Sequence, residues 1–399
     1  MQSIWYRREF LLLFASTLAV SVTGSMTMVS TGWLVLELTG SPLSLGIIWA
    51  TRAAPHLIFG MLAGAVADRF DRRHLLLGIL IVLVSASFLF GSLITNNMIE
   101  LGHVFLFILT TSSLKTFTMP ARQALVVDVV GRDHVMRSIA LNSVGLRMMG
   151  FIGGAVAGVL IGMWNVASPF YLMSFCYGSG FILLWMTPSE KTQSDKDVVK
   201  QVSLWTHYRE GFAIITQNHV VAALVTIAVL CEILGFSYQV LLPLFARDVV
   251  NVGAVGLGTF TAAQSLGGLI ATVALTAGSQ YRSKGQLLLV LYLVFGVSLL
   301  LFAQSSVYFV SLLLICLTGG VAAAFDAMQH ILLQLNVAEQ QRGRAMGIWQ
   351  LSIGFGPVGH VMLGFMAASF GPFVALTMNG ILIIISFLAI LLTTDLKAV

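Results

Sequence analysis

Six charged side chains lie inside long apolar segments of this chain, where a charge is costly because no bulk water solvates it. They comprise three bases and three acids: Arg52, Lys115, Arg147, Glu37, Glu232 and Asp326. An acid in apolar surroundings takes up a proton readily, because its neutral form is easier to bury than its charged form. These residues therefore indicate proton binding or ion pairing within a membrane. We take Glu232 as the first candidate proton site and Asp326 as the second; a static ion pair is the alternative for each.

A second concentration of charge is the segment GAVADRFDRRH at residues 64–74, which separates two apolar segments. Asp68 ends the first of these, and a carboxylate there is stabilised by a nearby helix N-terminus or by arginines. Asp128, at the end of another apolar segment, is placed to share Arg72 or Arg73 in the same cluster. We expect a gate at the membrane surface. The alternative is a solvated loop whose arginines only set the topology.

The composition predicts that membrane-spanning helices position these groups. Of the 399 residues, 58% are hydrophobic and 9% are charged, far from the shares of a soluble domain. Apolar runs of about 20 residues, the length that crosses a bilayer core as a helix, recur along the chain. An all-α polytopic protein is predicted, with twelve spanning helices near 10–36, 44–67, 74–95, 101–126, 139–162, 167–187, 218–246, 254–277, 285–303, 306–333, 343–368 and 372–393.

The basic residues predict the orientation of these helices, because Lys and Arg are retained in cytoplasmic loops. Most of the 21 Lys and Arg fall in loops on the same side as the N-terminus, whereas the loops of the opposite side hold only Arg247. Both termini are therefore predicted to be cytoplasmic. Arg7 and Arg8 precede the first apolar run, but the run is too long for a secretion signal and no cleavage site follows, so we interpret it as a spanning helix.

The chain divides into two halves of six predicted helices each. Residues 188–203 form the long polar segment between them, and apolar residues recur at helical spacing after it. We predict a first bundle at 1–187, a cytoplasmic linker with an amphipathic interfacial helix at 188–217, and a second bundle at 218–399. The halves repeat each other weakly, as expected of a transporter built from repeats.

The chain resembles the major facilitator superfamily, whose loop signature Gly-x-x-x-Asp-Arg-x-Gly-Arg-Arg is matched between the second and third predicted helices by Gly64, Asp68, Arg69, Arg72 and Arg73. Asp71 replaces the glycine of the signature, and aspartate is among the residues that tolerate a left-handed backbone there. Segments 120–143, 203–215 and 343–350 are similar to the bacterial branch that includes the enterobactin exporter and related efflux proteins.

This resemblance implies two six-helix bundles and secondary active export by alternating access, driven by inward proton flow across the bacterial inner membrane. It also implies that helices one, four, seven and ten line a central cavity, which would bring Lys115, Glu232 and Asp326 to it. A Lys115–Asp326 or a Lys115–Glu232 pair would then join the two halves and yield to substrate or proton. The further candidate cavity residues are Arg147, Tyr238, Gln239 and Gln329. We interpret Glu37 and Arg52 as side chains that reach the interface from the outer ends of their helices.

The predicted partners are protons, the lipid bilayer and a small amphipathic molecule, siderophore or drug-like, carried by a monomer. No metal is expected, because Cys176, Cys231 and Cys316 lie in apolar runs without metal-ligand spacing. No nucleic acid is expected, since no basic patch is interleaved with aromatic residues. Without a Walker loop or a catalytic motif, no cofactor and no enzyme are predicted. The alternatives are a passive facilitator or channel and, less strongly, a membrane-embedded enzyme.

Two glycine-rich segments, at 150–158 and 354–364, predict helices that approach each other closely and bend easily. Pro357 in the second segment removes one backbone hydrogen bond. Ordinary tight packing accounts for the same residues equally well. The first predicted helix also carries many Ser and Thr hydroxyls, which either line a wet cavity or bond to their own backbone.

Overall fold

The computed structural model of the protein describes residues 8–131, 135–187, 218–277, 283–337, 347, 349, 351–394 and 396. Within helices, it leaves out the side chains at 61, 64, 65, 67, 68, 135–137, 139, 140, 276 and 277. The described residues form helices and no strand. The helices are α1 Arg8–Thr39, α2 Pro42–Arg69, α3 Arg72–Thr95, α4 Leu101–Val130, α5 Val135–Met163, α6 Ser168–Trp185, α7 His219–Val249, α8 Gly253–Ala277, α9 Lys284–Gln304, α10 Tyr308–Leu335, α11 Gly356–Phe370 and α12 Pro372–Thr393. The predicted linker and its amphipathic helix at 188–217 lie outside the described residues.

Ten of these helices, counted over the described residues, are long and apolar enough to cross a bilayer. The other two are α2, whose middle carries Arg52, Pro55 and His56, and α6, which has 18 residues. Both pack among the spanning helices, α2 against α4 and α11, and α6 against α1 and α3. The predicted all-α fold of twelve helices is therefore confirmed.

The two halves use the same helix pairings. In the first half α2 packs on α4 and α3 packs on α6, and in the second half their counterparts α8 and α9 pack on α10 and α12. The halves meet through two equivalent pairs, α5 with α8 and α11 with α2. This correspondence gives the pseudo-symmetric two-bundle plan of the predicted fold.

Glycines allow close contacts between the halves. A Cβ added at Gly158 of α5 would lie 2.7 Å from Cα of Gly258 in α8, and one added at Gly364 of α11 would lie 3.1 Å from Cα of Gly46 in α2. The glycine-rich segments therefore act in close packing.

Pro357 does not bend α11 from within, because it lies in the first turn of that helix, after a turn at Gly354 and Phe355. Its missing N–H costs nothing there.

Helix α7 is irregular where its counterpart α1 is continuous. A π-helical turn at Cys231–Gly235 is followed by a 3₁₀ segment at Phe236–Leu241, a short α-helical segment and a second π-helical turn at Phe245–Val249. Pro243 lies within the short α-helical segment Leu242–Leu244 and cannot donate a backbone hydrogen bond, which favours a change of helical register there. Irregular turns of this kind mark functional positions in many helices.

The array has two ends, which we name after their loops. The α2–α3 end also holds the start of α1 and the end of α12, and the α1–α2 end is the opposite one. Near the α1–α2 end the halves touch through α1 and α7. Arg247 Nη1 donates to Leu36 O at 3.2 Å, and a Cβ on Gly32 would lie 3.0 Å from Pro243 Cγ. The structure therefore shows the two bundles joined at the α1–α2 end.

Candidate functional site

The described residues form a polar pocket between α1, α2 and α4 of the first half. Its lining consists of two bases, four hydroxyl side chains and three apolar side chains: Arg52, Lys115, Thr27, Thr31, Thr111, Ser112, Ile48, Trp49 and Ile108. Both bases are half-buried. Arg52 Cζ lies 5.3 Å from the centre of the Trp49 ring, and Lys115 Nζ lies 6.0 Å from the centre of the Tyr177 ring. Aromatic faces thus flank both cations, an arrangement that stabilises a partly desolvated charge.

The hydroxyls of the pocket are held by their own helices. Thr27 Oγ1 donates to Thr23 O, Thr31 Oγ1 donates to Thr27 O, and Thr111 Oγ1 donates to Phe107 O, at 2.6, 2.6 and 2.8 Å. Their hydrogens are committed to the backbone, but each oxygen keeps a lone pair for a further donor. The two interpretations of the α1 hydroxyls therefore both apply, since the same groups bond locally and line a cavity.

Two acids of the second half lie on neighbouring helices. Glu232 lies in the first π-helical turn of α7, Asp326 lies on α10, and both are half-buried. Asp326 acts electrostatically on Glu232, while Arg147 and His330 act on Asp326. Helix α11 is the next neighbour, because a Cβ on Gly356 would lie 3.5 Å from Glu232 Oε2.

The structure shows neither of the pairs that the sequence suggested for Lys115. Among the described residues, no carboxylate lies within 4.0 Å of Lys115, and no base lies within that distance of Glu232 or Asp326. Lys115 and Asp326 lie on the corresponding helices α4 and α10, but Lys115 lines the pocket of the first half, whereas Asp326 is acted on by His330 and Arg147. Height along a helix does not fix the direction in which a side chain points.

The other candidate cavity residues fall in different places. Arg147 on α5 lies at the junction of the halves, since a Cβ on Gly268 of α8 would lie 2.8 Å from its Nη1. Tyr238 is fully buried against Phe295, with ring centres 6.2 Å apart. Gln329 is 2% exposed. Its amide nitrogen donates to Leu224 O at 2.9 Å and ties α10 to α7. Gln239 is half-buried.

In the predicted gate cluster, the ion pair that the structure describes joins two helices of the first half. Arg72 Nη1 contacts Asp128 Oδ2 at 2.5 Å, which joins α3 to the end of α4 as the sequence suggested. Arg73 donates to Leu184 O and Trp185 O and so caps the last turn of α6. Arg69 is exposed in the last turn of α2. The surroundings of Gly64 and the side chain of Asp68 lie outside what the structure describes, as do Arg342 and Arg344.

Asp71 begins α3 and does not need the left-handed backbone of the glycine it replaces. Its φ is −58°, and its Oδ1 accepts from the His74 N–H at 2.8 Å, as in an N-cap. Partial burial alone would raise the pKa of Asp71, but hydrogen bonds from the His74 N–H and ring hold that pKa below its usual value. The departure from the loop signature therefore adds a helix cap.

Sequence reasoning missed the place of two residues at the pocket, Arg52 and Trp49. Arg52, interpreted from the sequence as an interfacial side chain, lines the pocket. Trp49 lies on the same face one helical turn earlier and contacts His360 of α11, with ring centres 5.6 Å apart. The spacing of Trp49, Arg52 and His56 at three and four residues was the available signal, because such spacing puts all three on one helix face.

The sequence matches the transmembrane secretion effector family over residues 5–398. The staphyloferrin A transporter of Staphylococcus aureus is 23% identical over 371 residues, which cover 90% of this chain and 89% of the relative. The enterobactin exporter of Salmonella typhimurium is 25% identical over 98% of this chain and 93% of its own length. Macrolide efflux protein A of Streptococcus pyogenes is 19% identical over 95% of this chain and 94% of its own.

Solved structures share the fold at low identity. A nucleoside transporter matches with a TM-score of 0.73 and 16% identity over 96% of this chain and 99% of its own. A POT family transporter in complex with 5-aminolevulinic acid matches with a TM-score of 0.76 and 11% identity over 98% of this chain and 97% of its own. The family and these relatives are transporters and not enzymes, which confirms that prediction. The chain is thus an efflux-type, multi-pass membrane transporter of the major facilitator superfamily and belongs to its transmembrane secretion effector family.

Proposed function

We propose that this transporter exports a small amphipathic molecule, siderophore or drug-like, in exchange for protons. The observation that carries the proposal is the acid pair of the second half. Glu232 and Asp326 are half-buried on neighbouring helices, and the charge of Asp326 acts on Glu232. Like charges repel in such surroundings, and a single bound proton removes the repulsion. The pair is therefore suited to gain and lose a proton during the transport cycle.

The backbone around Glu232 supports a link between this proton and the contact of the two halves. The amide nitrogen of Asn379 donates to Leu234 O and Ser237 Oγ at 2.8 and 2.9 Å, so α12 holds the irregular part of α7. On the other side, α11 packs on the backbone of α7 at Ile233 and then on α2 of the first half. A change of charge at Glu232 would reach the junction of the halves through α11.

Alternating access is the mechanism we propose for the two bundles. The contacts of α1 with α7 support a state closed at the α1–α2 end. The α5–α8 and α2–α11 pairs, with glycines at their closest points, would serve as the surfaces on which the bundles move. Opening the α1–α2 end would require loss of the Arg247 contact with Leu36 and closure of the opposite end.

At the α2–α3 end we propose the gate that the sequence suggests. Asp68 would contact the segment around residues 342–345, which precedes α11 in the chain and lies outside the described residues, and would hold the bundles together when that end closes. The Arg72–Asp128 pair supports this role, because it fixes the loop to α4. We also propose that this end faces the cytoplasm, as the basic residues predict, and that both termini lie there.

The test is transport by purified protein in liposomes with an imposed pH gradient, screened with siderophores and lipophilic cations. An exporter of this kind accumulates substrate with the gradient, and a protonophore abolishes the accumulation. Glu232→Gln should remove the gradient dependence, whereas the matched control Glu37→Gln should keep it, since an amide still accepts the Trp33 N–H. Flux without accumulation in the unmodified protein would favour a passive facilitator, and unchanged gradient dependence in Glu232→Gln would contradict the proton site.

A further inference from the structure

The pocket of the first half carries positive charge without a matching negative charge. Arg52 and Lys115 both line it, and none of its lining residues is acidic. Among the residues that the structure describes, no carboxylate lies within 4.0 Å of either base. Two half-buried cations in a membrane-embedded bundle are unfavourable unless something compensates them. The Trp49 ring, centred 5.3 Å from Arg52 Cζ, and the Tyr177 ring, centred 6.0 Å from Lys115 Nζ, compensate part of this charge. They leave the N–H donors of both bases available.

The rest of the lining offers a complementary surface. The hydroxyl oxygens of Thr27, Thr31 and Thr111 accept further hydrogen bonds, because their own hydrogens go to backbone carbonyls. The Trp49 indole presents an aromatic face beside Arg52. A ligand that fits therefore has an anionic group for the two bases, donors such as hydroxyls for the threonines, and some apolar or planar surface.

We infer that this pocket binds a carboxylate of the exported molecule, with Arg52 and Lys115 on the same anionic group. Arginine forms paired hydrogen bonds with a carboxylate, and lysine adds a second charge. The inference rests on the proposed function and specifies its substrate class: the cargo is an organic anion, not a lipophilic cation. The first half then recognises the cargo, while the acid pair of the second half takes the proton.

The test is equilibrium binding to the full-length protein in detergent, with no gradient present, measured by isothermal titration calorimetry. The probes are citrate as a hydroxylated carboxylate, inorganic phosphate as another oxyanion, and tetraphenylphosphonium as a lipophilic cation. Citrate should bind and the cation should not. Arg52→Gln and Lys115→Gln should each weaken citrate binding by about tenfold or more, as expected for the loss of a charged hydrogen bond. Arg52→Lys should restore part of the affinity.

Lys284→Gln is the matched control, because it removes the same charge at the start of α9, outside the pocket. It should bind citrate as the unmodified protein does. Absence of citrate binding, binding unchanged in both pocket variants, or equal weakening in the control would overturn the inference. Equal binding of phosphate would contradict the carboxylate assignment. If the protein binds citrate but shows no proton-driven transport, the proposed function is contradicted and this inference is not. If it transports only cations in a proton-driven way, this inference is contradicted and the proposed function is not.

Discussion

The two halves of the molecule share a helix plan and differ in the charge that they place inside it. The first half has Arg52 and Lys115 at a pocket, and the second half has Glu232 and Asp326 on α7 and α10. Since equivalent helices pair in the same way in both halves, the fold requires neither sign of charge. The difference is consistent with the division of labour proposed above, in which one bundle would hold an anionic cargo and the other would exchange a proton.

The backbones of the two halves also differ, in the regularity of their first helices. α1 runs without a break, and its threonines bond to their own helix, whereas its counterpart α7 changes helical register around Glu232. A continuous helix holds a pocket wall in place. A helix with π-helical turns and a proline has weaker hydrogen bonding and can change shape at lower cost. The rigid half is thus suited to binding and the irregular half to movement.

The largest effect that tests this contrast is expected from the acid pair. Asp326→Asn should lower proton-driven accumulation by about tenfold or more, a size typical of coupled sites. The double variant with Glu232→Gln should be no worse than the more impaired single variant, because in the proposed mechanism the two acids share one proton and their effects do not add. Accumulation in liposomes at fixed pH gradient measures this. Additive losses would mean that the two acids act separately.

A similarly large effect is expected at the gate, where the first half is charged and the matching loop of the second half, SKGQLLL at 283–289, has no acid. Asp68→Asn should cut transport by about tenfold while leaving abundance intact. In the proposed gate, the carboxylate makes its contact only when the α2–α3 end is closed, so its loss destabilises that state and not the folded protein. Transport and immunoblot of membranes measure the two quantities. Normal transport by this variant would remove the gate.

An intermediate effect is expected where the halves touch. Gly158→Val should destabilise the protein by about 1–3 kcal/mol, because its side chain has no room beside Gly258 and Ala254 of α8. Gly364→Val should do the same at the equivalent α11–α2 contact. Gly78→Ala on α3, where a Cβ meets nothing within 4 Å, is the control. Thermal unfolding in detergent compares them, and an unchanged transition in Gly158→Val would show that the halves are not tightly packed there.

The smallest effect on stability is expected at the N-termini of two helices. Asp71 caps α3, while Ser283 at the start of α9 makes no side-chain capping bond. Asp71→Ala should therefore cost about 1 kcal/mol, and Ser283→Ala close to nothing. Because the folded state lowers the pKa of Asp71, its charge-dependent contribution is present at neutral pH and is lost as the pH falls through that lowered value. Thermal stability at pH 7 and pH 3 measures both; equal losses in the two variants would contradict the cap.

The predictions from sequence succeeded for the helices and for one contact near the loop signature. The Arg72–Asp128 pair was foreseen because Arg72 begins α3 and Asp128 lies in the last turn of α4, at the same side of the array. Neither Lys115 pair is formed among the described residues, and both stay predictions, because the rotation of α4 and α10 about their axes cannot be read from one sequence. The same limit applies to Arg52. Its position along α2 suggested a side chain that reaches the interface, whereas the structure has it in the lining of the pocket between α1, α2 and α4.

What the sequence determined by itself is the set of helices and the family, because a bilayer accepts only segments that satisfy their own backbone hydrogen bonds and because the loop signature is contiguous. Only the tertiary structure decided which charges share a site. Helix rotation is set by packing between segments far apart in the chain, such as the close backbone approach of Gly46 and Gly364. That packing joins Arg52 to Lys115 in one bundle and Glu232 to Asp326 in the other.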